Sequence, residues 1–138
     1  MADKAPVIQD LDVLRPAPEY VMLAGKKIDI SFIPSGIAVD MMALQDRINA
    51  MVDSPEKIAR VREGGAEALE TFNLSAEMCA KLTCSQYPEM DKEWLLKNTS
   101  IPQLKVLVAR VTAAIYRSLE SVEDDELKKQ QAAGEKNP

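Results

Sequence analysis

The sequence predicts a mainly α fold: a small helical domain of four to five helices with an N-terminal β-hairpin. Three observations predict it. From residue 35 to residue 122, apolar residues recur mostly at spacings of three and four, the period of a helix with one buried face. Residues 19–33 instead alternate with a period of two around a glycine turn. Prolines and small polar residues then divide the helical region into separate segments.

The first eighteen residues carry Pro6, Pro16 and Pro18. Each proline lacks a backbone donor and restricts the residue before it, so no long helix fits. Val7, Ile8, Leu11, Val13 and Leu14 are nevertheless apolar. The segment reads as an extended arm or a single turn lying on something, and an unstructured N-terminus reads equally well. The hairpin follows. Tyr20 to Leu23 form its first arm, and Ala24-Gly25-Lys26-Lys27 supply the turn, with Gly25 free to take positive φ. In the second arm Ile28, Ile30 and Phe32 share one face, with Asp29 and Ser31 on the other. An isolated hairpin is marginal in water, so its apolar face must pack on helices or extend a partner's sheet.

Pro34 stops that arm, and Ser35 is placed to cap the next element. Ile37, Met41, Leu44, Ile48 and Met51 give an amphipathic helix that ends near Asp53. Ser54-Pro55 restarts the chain as a cap followed by proline in the first helical position. Ile58, Val61, Leu69 and Phe72 continue one face, interrupted by Gly64-Gly65, and Leu74, Met78 and Leu82 carry it to about Cys84. This is one long helix, or two meeting near Gly64 or Asn73. The glycines either admit another backbone or mark a bend. After Tyr87-Pro88, Asp91 opens a short helix to Asn98, with Trp94 and Leu95 facing inward. Ser100 and Gln103 form a capping box around Pro102. The last helix carries Leu104, Leu107, Val108, Val111, Ile115, Leu119 and Val122 on one stripe. From Glu120 onward the chain holds six acids and three lysines, and reads as a frayed helix end and solvated tail. The predicted organisation is an arm over 1–18, a hairpin and helical domain over 19–122, and a polar tail over 123–138.

Composition narrows the chemistry. The 138 residues suit one domain, and 46% apolar with 28% charged residues is an ordinary globular mixture. No apolar run reaches the roughly 20 residues that span a bilayer, and the first residues lack the apolar core of a secretory signal. A cytoplasmic protein without membrane contact is expected. Histidine is absent, which removes the commonest general base and metal ligand. A net charge of −5 and 4% aromatics argue against nucleic acid as a partner. Cys79 and Cys84 lie five apart on a helix and point in different directions, which suits free thiols rather than a disulfide or a metal site. Neither a phosphate loop nor a nucleophile elbow is present, and the carboxylates sit among polar neighbours. No catalytic residue, cofactor site or metal site is expected, and the chain does not read as an enzyme.

Methionine is the surplus. Met41, Met42 and Met51 share one helix, and flexible thioethers suit surfaces that accept varied partners. Simple filling of a helical core is the competing reading, strongest for Met41 and Met51 on the apolar stripe; Met42 lies off it. The candidate partner-binding residues are these three methionines, for a helix laid in a groove, and Ile28, Ile30 and Phe32 of the hairpin, for strand addition or self-association. The premise is that the helices carry more apolar face than one copy can bury.

The order of a glycine-turn hairpin Y-V-M-L-A-G-K-K-I-D-I-S-F-I-P, then helices, then D-K-E-W-L-L-K-N-T-S-I-P-Q-L and a final amphipathic helix resembles tail assembly chaperones of long-tailed bacteriophages. The resemblance covers roughly Glu19 to Val122, and lies in organisation rather than in a catalytic signature. It implies binding to the tape measure protein, a long and largely helical chain, to keep it soluble. It further implies recruitment of tail tube subunits, action in the host cytoplasm, absence from the mature virion, and a longer product made by frameshifting near Lys128-Lys129. A structural tail or connector protein, or a cytosolic helical adaptor unrelated to phage, are the other readings. A homo-oligomer fits any of them.

Overall fold

A computed structural model describes residues 6–119. These divide into two units, residues 6–17 and residues 18–119. The first contains a single 3-10 turn, Leu11–Leu14, whose start is capped by the Asp10 carboxylate accepting from the Asp12 N–H. Residues 120–138, and with them the predicted polar tail, Val122 and the Lys128-Lys129 segment, lie outside the described residues.

The second unit is mainly helical, with five helices behind a two-stranded antiparallel hairpin, as the sequence predicts. Strand β1 (Tyr20–Leu23) pairs with β2 (Lys26–Asp29) in the register Val21 opposite Ile28 and Leu23 opposite Lys26. The turn is tighter than the four residues expected. Ala24 (φ +50°) and Gly25 (φ +77°) make it alone, both with positive φ, the geometry that matches strand twist. Lys26 and Lys27 therefore belong to β2. That strand also ends earlier than its alternating pattern suggests. The Asp29 carboxylate accepts from the Ser31 N–H (2.8 Å), the Ser31 hydroxyl (2.6 Å) and the Phe32 N–H (3.4 Å). This local turn takes the chain out of the strand, so Phe32 does not share the buried face of Ile28 and Ile30.

Helix α1 (Ser35–Met51) starts at Ser35 itself. The expected serine cap is not made, because Ser35 is already helical and Pro34 holds the capping position without a side-chain bond. Helix α2 (Pro55–Glu63) begins as read, with the Ser54 hydroxyl accepting from the Lys57 N–H. The glycine pair separates α2 from α3 (Ala66–Gln86). Gly64 and Gly65 have φ of +87° and +85° with extended ψ, a region essentially closed to other residues. A Cβ at either position meets nothing within 4 Å, so the pair serves a bend and not a close approach. Helix α4 (Lys92–Asn98) is capped by Asp91 accepting from the Trp94 N–H. Helix α5 (Ile101–Leu119) carries the predicted capping box: Gln103 Oε1 accepts from the Ser100 N–H, and the Ser100 hydroxyl from the Gln103 N–H.

Helix α3 is the hub, packing against α1, α2, α4 and α5. One core joins Leu23, Ile28 and Ile30 of the hairpin to Met41, Leu44 and Ile48 of α1, Leu74, Met78 and Leu82 of α3, and Leu107, Val111 and Ile115 of α5. Two polar contacts cross it. Gln45, buried on α1, donates to Asn49 and accepts from the Thr112 hydroxyl of α5. Thr83, fully buried, donates to the Met90 carbonyl and holds the α3–α4 connection. Glu19 ties the hairpin to α5 through Arg110 and Arg117, each 3.1 Å away.

This core corrects the premise of spare helix face. The stripes of α1, α3 and α5 are largely consumed inside one copy: Met41, Met78, Leu82 and Val111 are 0% exposed. Met41, Ile28 and Ile30 are therefore core residues, not accessible partner contacts. Their faces find neighbours within the chain, because α3 lies against both α1 and α5.

Candidate functional site

What remains for a partner lies partly at the margins of the predicted stripes and partly off them. Met42 and Met51 are half-buried and pack on the edge of the core, and Phe32 is exposed. Met51 borders a shallow depression with Lys57, Arg60 and Glu67, where the Thr71 hydroxyl sits 3.6 Å from its sulfur. The larger exposed apolar side chains of residues 18–119 include Met22, Val39, Leu69, Ile101 and Val106. Met22, Val39, Ile101 and Val106 stand outside the dominant stripes or on the outer face of a strand, so the periodicity gives no sign of them, whereas Leu69, read on the face of Val61 and Phe72, is 65% exposed.

Two grooves collect apolar surface. The first, about 450 Å³, is floored by Val61 of α2, Phe72 of α3, and Leu104 and Val108 of α5. Its rim carries Arg62 and Lys105, exposed cations with no ion pair among the described residues. It lies where α2 and α5 each pack against α3, with the Gly64-Gly65 bend between α2 and α3. An apolar floor with a basic rim suits an amphipathic helix with an acidic flank. The second groove, about 340 Å³, runs between β1 and the start of α5, along Val21, Met22, Leu23, Pro102 and Val106.

The hairpin's two edges differ. Val21 and Leu23 of β1 exchange hydrogen bonds with β2, as the bond from the Ile30 N–H to the Glu19 carbonyl (2.9 Å) just beyond the strands fixes. The outward groups of β2 meet the end of α3. Gln86 donates to the Asp29 carbonyl (2.7 Å) and accepts from the Asp29 N–H (2.8 Å), and the Tyr87 hydroxyl donates to the Lys27 carbonyl (2.9 Å). Lys26 adds an ion pair to Glu89. The outward N–H and C=O groups of β1, those of Tyr20 and Met22, meet no described residue. Nothing in the sequence marks Gln86 for this role, because it lies 57 residues from Asp29.

Both cysteines are free. Burial pushes the Cys79 thiol up to about 12, which leaves it protonated and a poor nucleophile at neutral pH. Cys84 is half-buried and its thiol donates to the Pro88 carbonyl. Among the described residues no cluster of three acidic or cysteine side chains can hold a metal ion, and no helix is long and apolar enough to cross a membrane. No family model, curated protein or solved structure matches the chain.

Proposed function

We propose that the chain is a tail assembly chaperone of a long-tailed bacteriophage, binding the tape measure protein in the host cytoplasm and keeping it soluble until tail tube subunits assemble around it. The observation that carries the reading is the groove over α2, α3 and α5. It presents Val61, Phe72 and Val108 between Arg62 and Lys105, without exposing the core of its own fold. A helical client with an acidic flank would bury its apolar face there, while the cations select its orientation. A net charge of −5 keeps the loaded complex dispersed. The order of hairpin, helices and capped final helix supports the same reading through its resemblance to that family.

Co-expression with the neighbouring long helical gene product tests the proposal. The expected result is a soluble client that co-purifies with the chain, and loses it when Lys105→Glu reverses the rim charge with no change in melting temperature. A client that stays insoluble, or that binds the variant equally well, overturns it. Stoichiometric presence of the chain in purified particles points instead to a structural tail or connector protein.

A further inference from the structure

We propose that two copies of this chain pair through the open edges of β1, antiparallel across a two-fold axis at Val21, to form a continuous four-stranded sheet. The edge that pairs is chosen by the fold. Gln86 and Tyr87 bond the Asp29 N–H and the Asp29 and Lys27 carbonyls and so cover the outward side of β2, which leaves β1 as the hairpin edge able to accept a strand. The occupant is chosen by self-complementarity. The outward groups of β1 belong to Tyr20 and Met22, one on either side of Val21. A two-fold axis through Val21 sets Tyr20 opposite the second copy's Met22, and the reverse, making about four backbone hydrogen bonds. Registers centred on Tyr20 or Met22 make about half as many.

Side chains agree with that register. Tyr20 and Met22 lie on the outer face, 47% and 66% exposed, and thioether on aromatic ring is a favourable contact. Across the sheet each row would read Lys27, Met22, the second copy's Tyr20, the second copy's Asp29, with opposite charges at its ends. Lys27 already stands over its own Tyr20 ring, 4.1 Å from the centroid, so the ring is held for the incoming methionine. On the other side of the sheet the groove beside β1 leaves room for the incoming strand over Pro102 and Val106. A strand edge alone buries less than the roughly 800 Å² per partner of a stable complex. Pro102 and the exposed Val106 beside it extend the contact, and the pair is expected to be a reversible, micromolar dimer.

Sedimentation equilibrium of the full chain from 2 to ~300 μM tests the inference. The expected mass rises toward twice 15.2 kDa. Met22→Pro should abolish the rise: the lost N–H points away from β2, so the monomer forfeits no hydrogen bond. In a Cys84→Ser background, Val21→Cys should form an interchain disulfide on oxidation and Tyr20→Cys should not, because only position 21 faces itself. A monomer at ~300 μM, an undiminished dimer in a folded Met22 variant, or equal cross-linking at positions 20 and 21 overturns the proposal. Client binding at Lys105 is read separately, so either proposal can fail alone.

Discussion

Along β2 every outward carbonyl meets a donor from the end of α3, and Ile28 and Ile30 on its inner side are 0% exposed. Along β1, one strand away, the outward groups of Tyr20 and Met22 meet no described residue, and Met22 is 66% exposed. The same hairpin thus has one edge anchored as if it were central in a sheet and one left as a template. The anchoring is done by side chains: the Gln86 amide offers a donor and an acceptor with the spacing of a peptide group, and stands where a third strand would lie. A small helical protein can in this way close one sheet edge without another strand, and reserve the other.

The largest expected effect breaks the comparison on its buried side. Ile28→Ala removes a fully buried side chain and should cost about 2–5 kcal/mol, whereas Met22→Ala on the neighbouring strand should change monomer stability by less than about 0.5 kcal/mol. Urea unfolding at low micromolar concentration measures both. Equal losses would mean that β1 is held as firmly as β2.

Gln86→Ala should come next, at about 1–3 kcal/mol, since it removes the amide that accepts from the Asp29 N–H and donates to the Asp29 carbonyl. The Tyr87 hydroxyl still holds the Lys27 carbonyl in this variant, so association should still run through β1, and Met22→Pro should still prevent it in concentration-dependent light scattering. Hydrogen exchange sharpens the contrast without a mutation. At low concentration the Asp29 amide should be protected and the Met22 amide should exchange rapidly, and only the latter should gain protection as concentration rises.

Short-range features of this fold are legible in the sequence because a few adjacent residues determine them. Ser54-Pro55, Asp91 and the Ser100–Gln103 box cap their helices as their spacing requires. The apolar stripes are equally legible as faces. Their destination is not: Met41 looks alike whether it meets α3 of its own chain or a partner helix, and only the packing of α1 against α3 and α5 decides for the former. The end of β2 is hidden because Asp29 and Ser31 read as the polar half of an alternation, while their side chains in fact bond to each other. The closure of β2 by Gln86, and the α2–α5 groove, depend on contacts between residues tens of positions apart. Of the six proposed contacts, Phe32 ends on the surface for a local reason, the Asp29 turn, and Met42 and Met51 are left half-buried by the packing of α1.

The smallest effect concerns the turn that both edges share. Ala24 has φ +50°, a conformation that costs an alanine about 1 kcal/mol and that asparagine adopts readily. Its side chain is exposed, so Ala24→Asn changes no core contact. The variant should gain about 0.5–1 kcal/mol in urea unfolding. It should also narrow the spread of β1 geometries, and so strengthen pairing between copies slightly while leaving the Gln86 contacts untouched. A gain in stability without any gain in association would show that the turn is already fixed by the core on its inner side, and that the open edge is limited by its side chains and not by its shape. A loss of stability would mean that the strain at Ala24 is relieved in solution, with a longer turn and a register other than Leu23 opposite Lys26.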